Sequence, residues 1–368
     1  MGRVTRDPLS VWLSDVAARA GFAGAEAFAA AFELRPYRLR QMYGAACKEM
    51  VWDVDGITTL PKPMRQALRD RGVAFSAVEP AVLQRSNDGQ TTKGLFRLRD
   101  GKEVEAVLME HRGGRTTVCI SSQAGCAFAC AFCSTGQAGF SRNLDALEIF
   151  DQARFFAREL RARGKRITNV VFMGMGEPFH NYDAVMNAVA LLNDANGFGL
   201  GHRHITISTV GLVDKIDRFA AEDLQVNLAI SLHAPDDAVR SPIMPVNRRF
   251  PMAQLMAACE RYVGATNRKV FFEYVMLAGV NDTAECARRL AELMRGRLYH
   301  VNLIPYNATP DAPFSGTLET RIWEFAGILE AAGVPLTVRR NMGRDIAAAC
   351  GQLRAQTQPK ATRTAAAG

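Results

Sequence analysis

Between Thr116 and Ile304, six short apolar segments alternate with stretches of helix length, and this rhythm limits the folds open to the chain more than any other feature. The segments span 116–121, 168–173, 204–209, 225–232, 269–276 and 299–304. The helical stretches lie near 144–162, 182–192, 251–263, 284–295 and 320–332, where apolar residues recur at three- and four-residue spacing. Repeated strand–helix units predict an α/β fold built on a parallel sheet. We expect a partial TIM-like (β/α)6 barrel rather than an open doubly wound sheet; in either case ligands collect beyond the carboxyl ends of the strands.

Residues 1–85 read differently, as short amphipathic helices over 9–20, 25–32, 37–47 and 62–71 broken by Gly and Pro, and predict a small accessory domain. Alternating polarity over 91–99 and 103–109 around Asp100-Gly101 predicts a hairpin connecting it to a core of 86–353. The tail 354–368 lacks periodicity and is expected to be disordered. With 48% hydrophobic and 22% charged residues, the chain can bury a barrel-sized core. Asp15 and Arg19 interrupt the N-terminal apolar stretch, so it reads as neither a signal segment nor a membrane span, and the expected location is cytoplasmic. The net charge of +8 suits a polyanionic partner. Its basic clusters are Arg35, Arg38, Arg40 and Lys48; Arg112 and Arg115; and Arg339, Arg340 and Arg344, each equally readable as a solvated surface.

Just after the first strand stand Cys126, Cys130 and Cys133 in a C-x-x-x-C-x-x-C array with only Ala and Phe between them. Four-iron clusters are normally held by thiolates, so three clustered cysteines leave one iron free for a substrate. A structural zinc site would need a fourth Cys or His brought in by folding, and disulfides suit an oxidising compartment that nothing here indicates.

The second strand runs into Gly174-Met-Gly-Glu-Pro178, a tight turn or a clamp for a cofactor amino group. It is not a dinucleotide fingerprint, because Phe179 stands where the third glycine would be needed. Ser208, the run Ser231-Leu232-His233, and Asn307 follow at later strand ends, either as ligand contacts or as structural caps. Cys47, Cys259 and Cys286 read as buried small hydrophobes. Cys350 differs, since Arg339, Arg340 and Arg344 lie near it in sequence and would favour its thiolate.

The cysteine array resembles the radical S-adenosylmethionine (SAM) signature. Together with Cys119-Ile-Ser-Ser-Gln123, Gly174-Met-Gly-Glu-Pro178, Ile230-Ser-Leu-His-Ala-Pro235, Tyr274-Val-Met-Leu277 and Ala349-Cys-Gly-Gln-Leu353, it resembles the dual-specificity rRNA/tRNA adenine-C2 methyltransferases and their C8-methylating relatives. The resemblance implies a [4Fe-4S] cluster on Cys126, Cys130 and Cys133, with SAM bound by Gly176, Glu177, Ser208, Ser231, Leu232, His233 and Asn307. It further implies two SAM molecules per turnover. Cys350 would carry a methyl group as S-methylcysteine, Cys119 would release the product through a transient disulfide with Cys350, and Glu105 would act as proton acceptor. Glu105 by itself reads as an exposed hairpin carboxylate.

The implied substrates are an adenine of 23S rRNA in the peptidyl transferase centre and a tRNA adenosine, with a low-potential electron donor such as flavodoxin, no membrane and a monomeric chain. Val301-Asn-Leu-Ile304 and Asn267-Arg-Lys-Val270 resemble the C8 branch as much as the C2 branch, whereas Pro178 favours C2. A rival of another class is a non-catalytic RNA-binding protein with a structural metal or redox cluster.

Overall fold

In the computed structural model, which describes residues 6–308 and 312–353, the chain opens with helices α1 (Pro8–Arg19), α2 (Ala25–Ala31), α3 (Pro36–Cys47) and α4 (Lys62–Asp70). Each matches its expected span to within a residue or two. α1 starts where Asp7 accepts the Ser10 N–H at 3.0 Å and Pro8 supplies a preset φ. The expected disordered tail, 354–368, lies outside the described residues.

Three antiparallel strands follow, β1 (Val78–Arg85), β2 (Thr91–Leu98) and β3 (Glu103–Glu110). The core then runs β4 (Thr116–Cys119), β5 (Gln123–Gly125), α5 (Ser134–Gln137), β6 (Phe140–Asn143), α6 (Ala146–Arg161), β7 (Asn169–Phe172), α7 (Tyr182–Asn193) and β8 (Ile205–Thr209). It continues through α8 (Val213–Ala220), β9 (Asn227–Ser231), α9 (Asp237–Ile243), α10 (Met252–Thr266), β10 (Val270–Met276), α11 (Ala284–Met294), β11 (Tyr299–Pro305), α12 (Glu319–Ala331) and β12 (Leu336–Val338).

Ten strands form one sheet in the order β1-β2-β3-β4-β7-β8-β9-β10-β11-β12, while β5 and β6 pair separately around the cysteine array. Within the ten-stranded sheet every pairing from β4 onward is parallel. All six expected strands are present. β12 adds a seventh parallel strand, too short and too polar at Thr337 to show in the apolar pattern. The hairpin β2–β3 continues the sheet antiparallel, and β1 extends it at the outer edge. The architecture is the partial α/β barrel expected.

α6 fastens the N-terminal helices to this sheet. Its Asp145–Glu148 capping box sets the start. The fully buried Arg154 donates to the carbonyls of Ala46 and Val51, each at 3.2 Å, and pairs with Asp151 at 2.7 Å. A charge so deeply buried persists because its donors are met by backbone carbonyls and a carboxylate.

Along the parallel strands the side chains alternate between the two faces. Val170, Ile207, Leu228, Phe272 and Leu303 are fully buried in the core. The opposite face carries Asn169, Thr206, Asn227, Glu273 and Asn302, which line an interior cavity.

Candidate active site

Two cavities meet inside the barrel. The one at the carboxyl ends of the strands measures about 160 Å³, and its walls include Cys126, Cys130, Cys133, Gly176, Glu177, Ser208, Ser231, His233 and Asn307. The other fills the lumen and measures about 800 Å³; it is bordered by Cys119, Arg112, Arg115, Arg339 and Arg340. Cys350 and Asn307 line both. Residues scattered over more than 200 positions of sequence therefore converge, as strand-end placement predicts.

Cys126 follows β5, and Cys133 is the N-cap of α5. Burial, then the neighbouring Glu177 and Cys133, pushes the Cys126 thiol up to about 12, although a backbone N–H at Phe128 opposes this. Burial, then its two partner thiols, also pushes the Cys130 thiol well above its ordinary value. Desolvated thiols that disfavour their own ionisation call for a strongly cationic partner, and iron supplies that charge. Among the described residues, no three His, Cys, Asp or Glu side chains converge on a point suited to a single ion. Three thiols on the wall of one cavity are the donor set that a four-iron cluster with one open iron needs.

The Gly174–Pro178 turn is stitched to residues 120–123. Met175 N–H donates to Ser121 Oγ and Glu177 N–H donates to Gln123 Oε1, both at 2.8 Å. This close approach explains both glycines. A Cβ on Gly174 would lie 2.7 Å from the Ile120 carbonyl oxygen; on Gly176, whose φ is +96°, it would lie 2.5 Å from Gln123 Cβ. Glu177 is buried, which pushes its carboxyl up to about 7. Both of its oxygens are engaged, Oε1 by Phe179 N–H at 3.0 Å and Oε2 by Val210 N–H at 2.8 Å. Its side chain thus ties the turn to the end of β8.

Ser208 and Ser231 bring their hydroxyls within 3.4 Å of each other. The buried Arg240 holds these strand ends by donating to the carbonyls of Val210 at 2.7 Å, Leu232 at 3.0 Å and Ser231 at 3.1 Å. His233 has φ +60°, and its Nδ1 accepts the Val275 N–H at 3.0 Å. Nε2 therefore carries the proton and remains a donor. Burial, then Arg240, lowers its pKa to about 3, so the ring is neutral at physiological pH. Leu232 differs from its neighbours. It is fully buried and lines neither cavity; its N–H donates to the Glu273 carbonyl.

Cys119 and Cys350 share the lumen wall, and all eight cysteines are free thiols in this structure. Burial raises the pKa of Cys119, and the proximity of Cys350 raises it further. Cys350 is solvent-accessible at the cavity wall yet surrounded by protein. That surrounding raises its pKa, with Arg339 opposing. This corrects the expectation of a thiolate favoured by three arginines, because desolvation outweighs the single guanidinium that acts on the thiol.

Glu105 is likewise not an exposed hairpin carboxylate: it is buried, and Lys93 Nζ lies 3.1 Å from its Oε1. It lines neither cavity. Register places it on the Cys119 face, since Val107 pairs with Cys119 and residues 105 and 107 point the same way.

Two contributors went unnoticed in the sequence, Lys93 and Glu273. The second left a trace there, because a lone carboxylate inside the apolar run Val270-Phe-Phe-Glu-Tyr-Val-Met276 is unusual for a strand covered on both faces.

A family model described as the Radical SAM superfamily matches residues 120–292, from the end of β4 through most of α11. Fold, thiol triplet and match together define a radical SAM enzyme. A probable dual-specificity RNA methyltransferase RlmN from Chloroflexus aurantiacus is 49% identical over 328 residues, covering 86% of each chain. A Staphylococcus aureus protein of the same description is 43% identical, covering 89% of each. The crystal structure of a radical SAM methyltransferase from Sphaerobacter thermophilus superposes with a TM-score of 0.87 at 50% identity, covering 91% of this chain and 97% of that one. The chain belongs to the family of dual-specificity RNA methyltransferases of the RlmN type.

Proposed function

We propose that this enzyme methylates C2 of a peptidyl-transferase-centre adenine in 23S rRNA, and a tRNA adenosine as well, by way of a methyl group carried on Cys350. The observation that carries this reading is the position of Cys350 on the walls of both cavities, one holding the three cluster cysteines and the other holding Cys119. A carrier that receives on one side and delivers on the other needs that position.

When bound, the [4Fe-4S] cluster and two SAM molecules would supply a methyl group by displacement and a carbon-centred radical by reductive cleavage. Cys126, Cys130 and Cys133 would hold the cluster. Gly176, Glu177, Ser208, Ser231, His233 and Asn307 would hold SAM, with Leu232 contributing through its place in the backbone between two of them. Adenine C2 is a poor nucleophile, so a methyl first parked on sulfur and then activated is a chemically workable route. Cys119 would take the ring proton and attack the Cys350 sulfur. The S–S bond forms as the S–C bond breaks, and the bonding pair stays with the methylene carbon. The proton that Cys119 gives up on attack turns that carbon into the product methyl, and an external thiol would reduce the disulfide for the next turnover. Glu105 would accept a proton, held in place by Lys93.

Arg112, Arg115 and Arg340 on the lumen wall suit an entering phosphate backbone, and the exposed Arg35, Tyr37 and Arg40 suit an RNA-binding role for residues 1–85. A low-potential donor such as flavodoxin, a cytoplasmic location and a monomeric state complete the reading. No described helix is long and apolar enough to cross a membrane.

The test is a nucleoside digest of the reacted RNA compared by mass spectrometry with C2- and C8-methyladenosine standards. C2-methyladenosine supports the reading. C8-methyladenosine moves the enzyme to the sister branch, and unmethylated RNA under reducing, SAM-replete conditions rejects both.

A further inference from the structure

Glu273 occupies an inward position on β10, between Phe271 on the lumen wall and Val275 on the wall of the cluster-side cavity, and it lines both spaces. It is 3% exposed. Asn302 Nδ2 donates to its Oε1 at 2.9 Å, and Arg339 Nη2 donates to the same oxygen at 2.8 Å. Oε2 is buried and has no hydrogen-bond partner among the described residues. Two donors on one oxygen fix the orientation of the carboxylate and leave the other oxygen as an acceptor-only atom. A buried acceptor left unmatched is costly, so its retention points to a ligand.

We propose that Glu273 Oε2 is the acceptor for the exocyclic amino group of a bound adenine. An amino group only donates, and so needs an acceptor. The serine hydroxyls of the cluster-side cavity can act either way, and both Glu177 oxygens are already engaged. Two ligands of the proposed reaction present such a group, the adenine of SAM on one side and the target adenine of RNA on the other. The inference therefore rests on that reading for its ligands, while its geometry belongs to this chain.

Glu273→Gln is the informative change. With Asn302 and Arg339 both donating to the first oxygen position, the amide would keep its oxygen there and place its NH2 where Oε2 stood, turning an acceptor into a donor. Removing the amino group from the ligand should weaken binding to the wild-type protein about 10- to 100-fold, the worth of one hydrogen bond to a charged acceptor.

The experiment measures equilibrium binding without turnover to cluster-loaded wild-type protein and Glu273→Gln. The ligands are SAM against its 6-deamino analogue, and an RNA hairpin with adenosine against one with purine riboside at the target position. A discrimination present in wild type and lost in Glu273→Gln supports the proposal, and the pair that shows it identifies which adenine is read. Equal binding of both ligands of each pair by wild type would overturn it, as would discrimination unchanged in the variant. The wild-type comparison needs no variant to fold. If wild type binds no RNA at all, the functional reading fails, and the SAM pair alone still decides the role of Glu273.

Discussion

Lys93 Nζ lies 3.1 Å from Glu105 Oε1, joining two neighbouring strands of the hairpin through a pair whose side chains are only 12% and 7% exposed. The same ammonium reaches the Ala347 carbonyl at 3.4 Å, in the segment that carries Cys350. The hairpin is thereby tied to the Cys350 segment, and Asn87 N–H in the β1–β2 turn, donating to Asp345 Oδ2 at 2.8 Å, adds a second tie from the sheet edge.

Lys93→Met should therefore take the ammonium away from a buried carboxylate and loosen the loop, at a cost of about 3 kcal/mol. Chemical denaturation measures it. Lys93→Arg should recover most of the loss, and a Lys93→Met protein as stable as wild type would show that the pair contributes nothing.

Gly176→Ala tests the turn. Its φ of +96° and the 2.5 Å approach of an added Cβ to Gln123 require the backbone to move, for a penalty on the order of 2 kcal/mol. Thermal unfolding should reveal the penalty, and SAM affinity should fall with it. Gly264→Ala, where nothing lies within 4 Å of the added Cβ, is the control and should be neutral or mildly stabilising.

The roles proposed for Cys350 and Cys119 predict opposite phenotypes. Cys350→Ala should show no increment of one methyl mass in the intact protein after incubation with SAM. Cys119→Ala should accept the methyl group and then accumulate a covalent protein–RNA adduct, visible on a denaturing gel. Normal turnover by Cys119→Ala would contradict the disulfide step.

His233 predicts a pH dependence. Its folded-state pKa is lowered from 6.5 to about 3, so the folded protein binds fewer protons than the unfolded chain between those values. Its contribution to stability is complete above pH 6.5 and declines as pH falls toward 3, by about 1 kcal/mol per pH unit. His233→Asn tolerates the left-handed backbone and removes the titration. The stability difference between wild type and variant should then shrink on acidification; a constant difference from pH 7 to pH 5 would refute the assignment.

Much of this protein is legible in its sequence because the relevant signals are local. Apolar runs bounded by Gly and Pro mark six parallel strands, and close spacing marks Cys126, Cys130 and Cys133 as a ligand set. β12 escaped because three residues with a central Thr carry too little hydrophobic signal. Leu232 joined Ser231 and His233 through the family resemblance, and strand alternation turns its side chain into the core.

What the linear chain determined by itself is the kind of fold and the close grouping of the three thiols, since both follow from residue type and short-range spacing. Only the tertiary structure decided their environments. It buried Glu105 beside Lys93, let desolvation outweigh Arg339 at Cys350, and fixed one oxygen of Glu273 while leaving the other without a partner among the described residues. Protonation and hydrogen-bond capacity depend on what surrounds a group in space, and here the surroundings arrive from strands and loops up to hundreds of residues away.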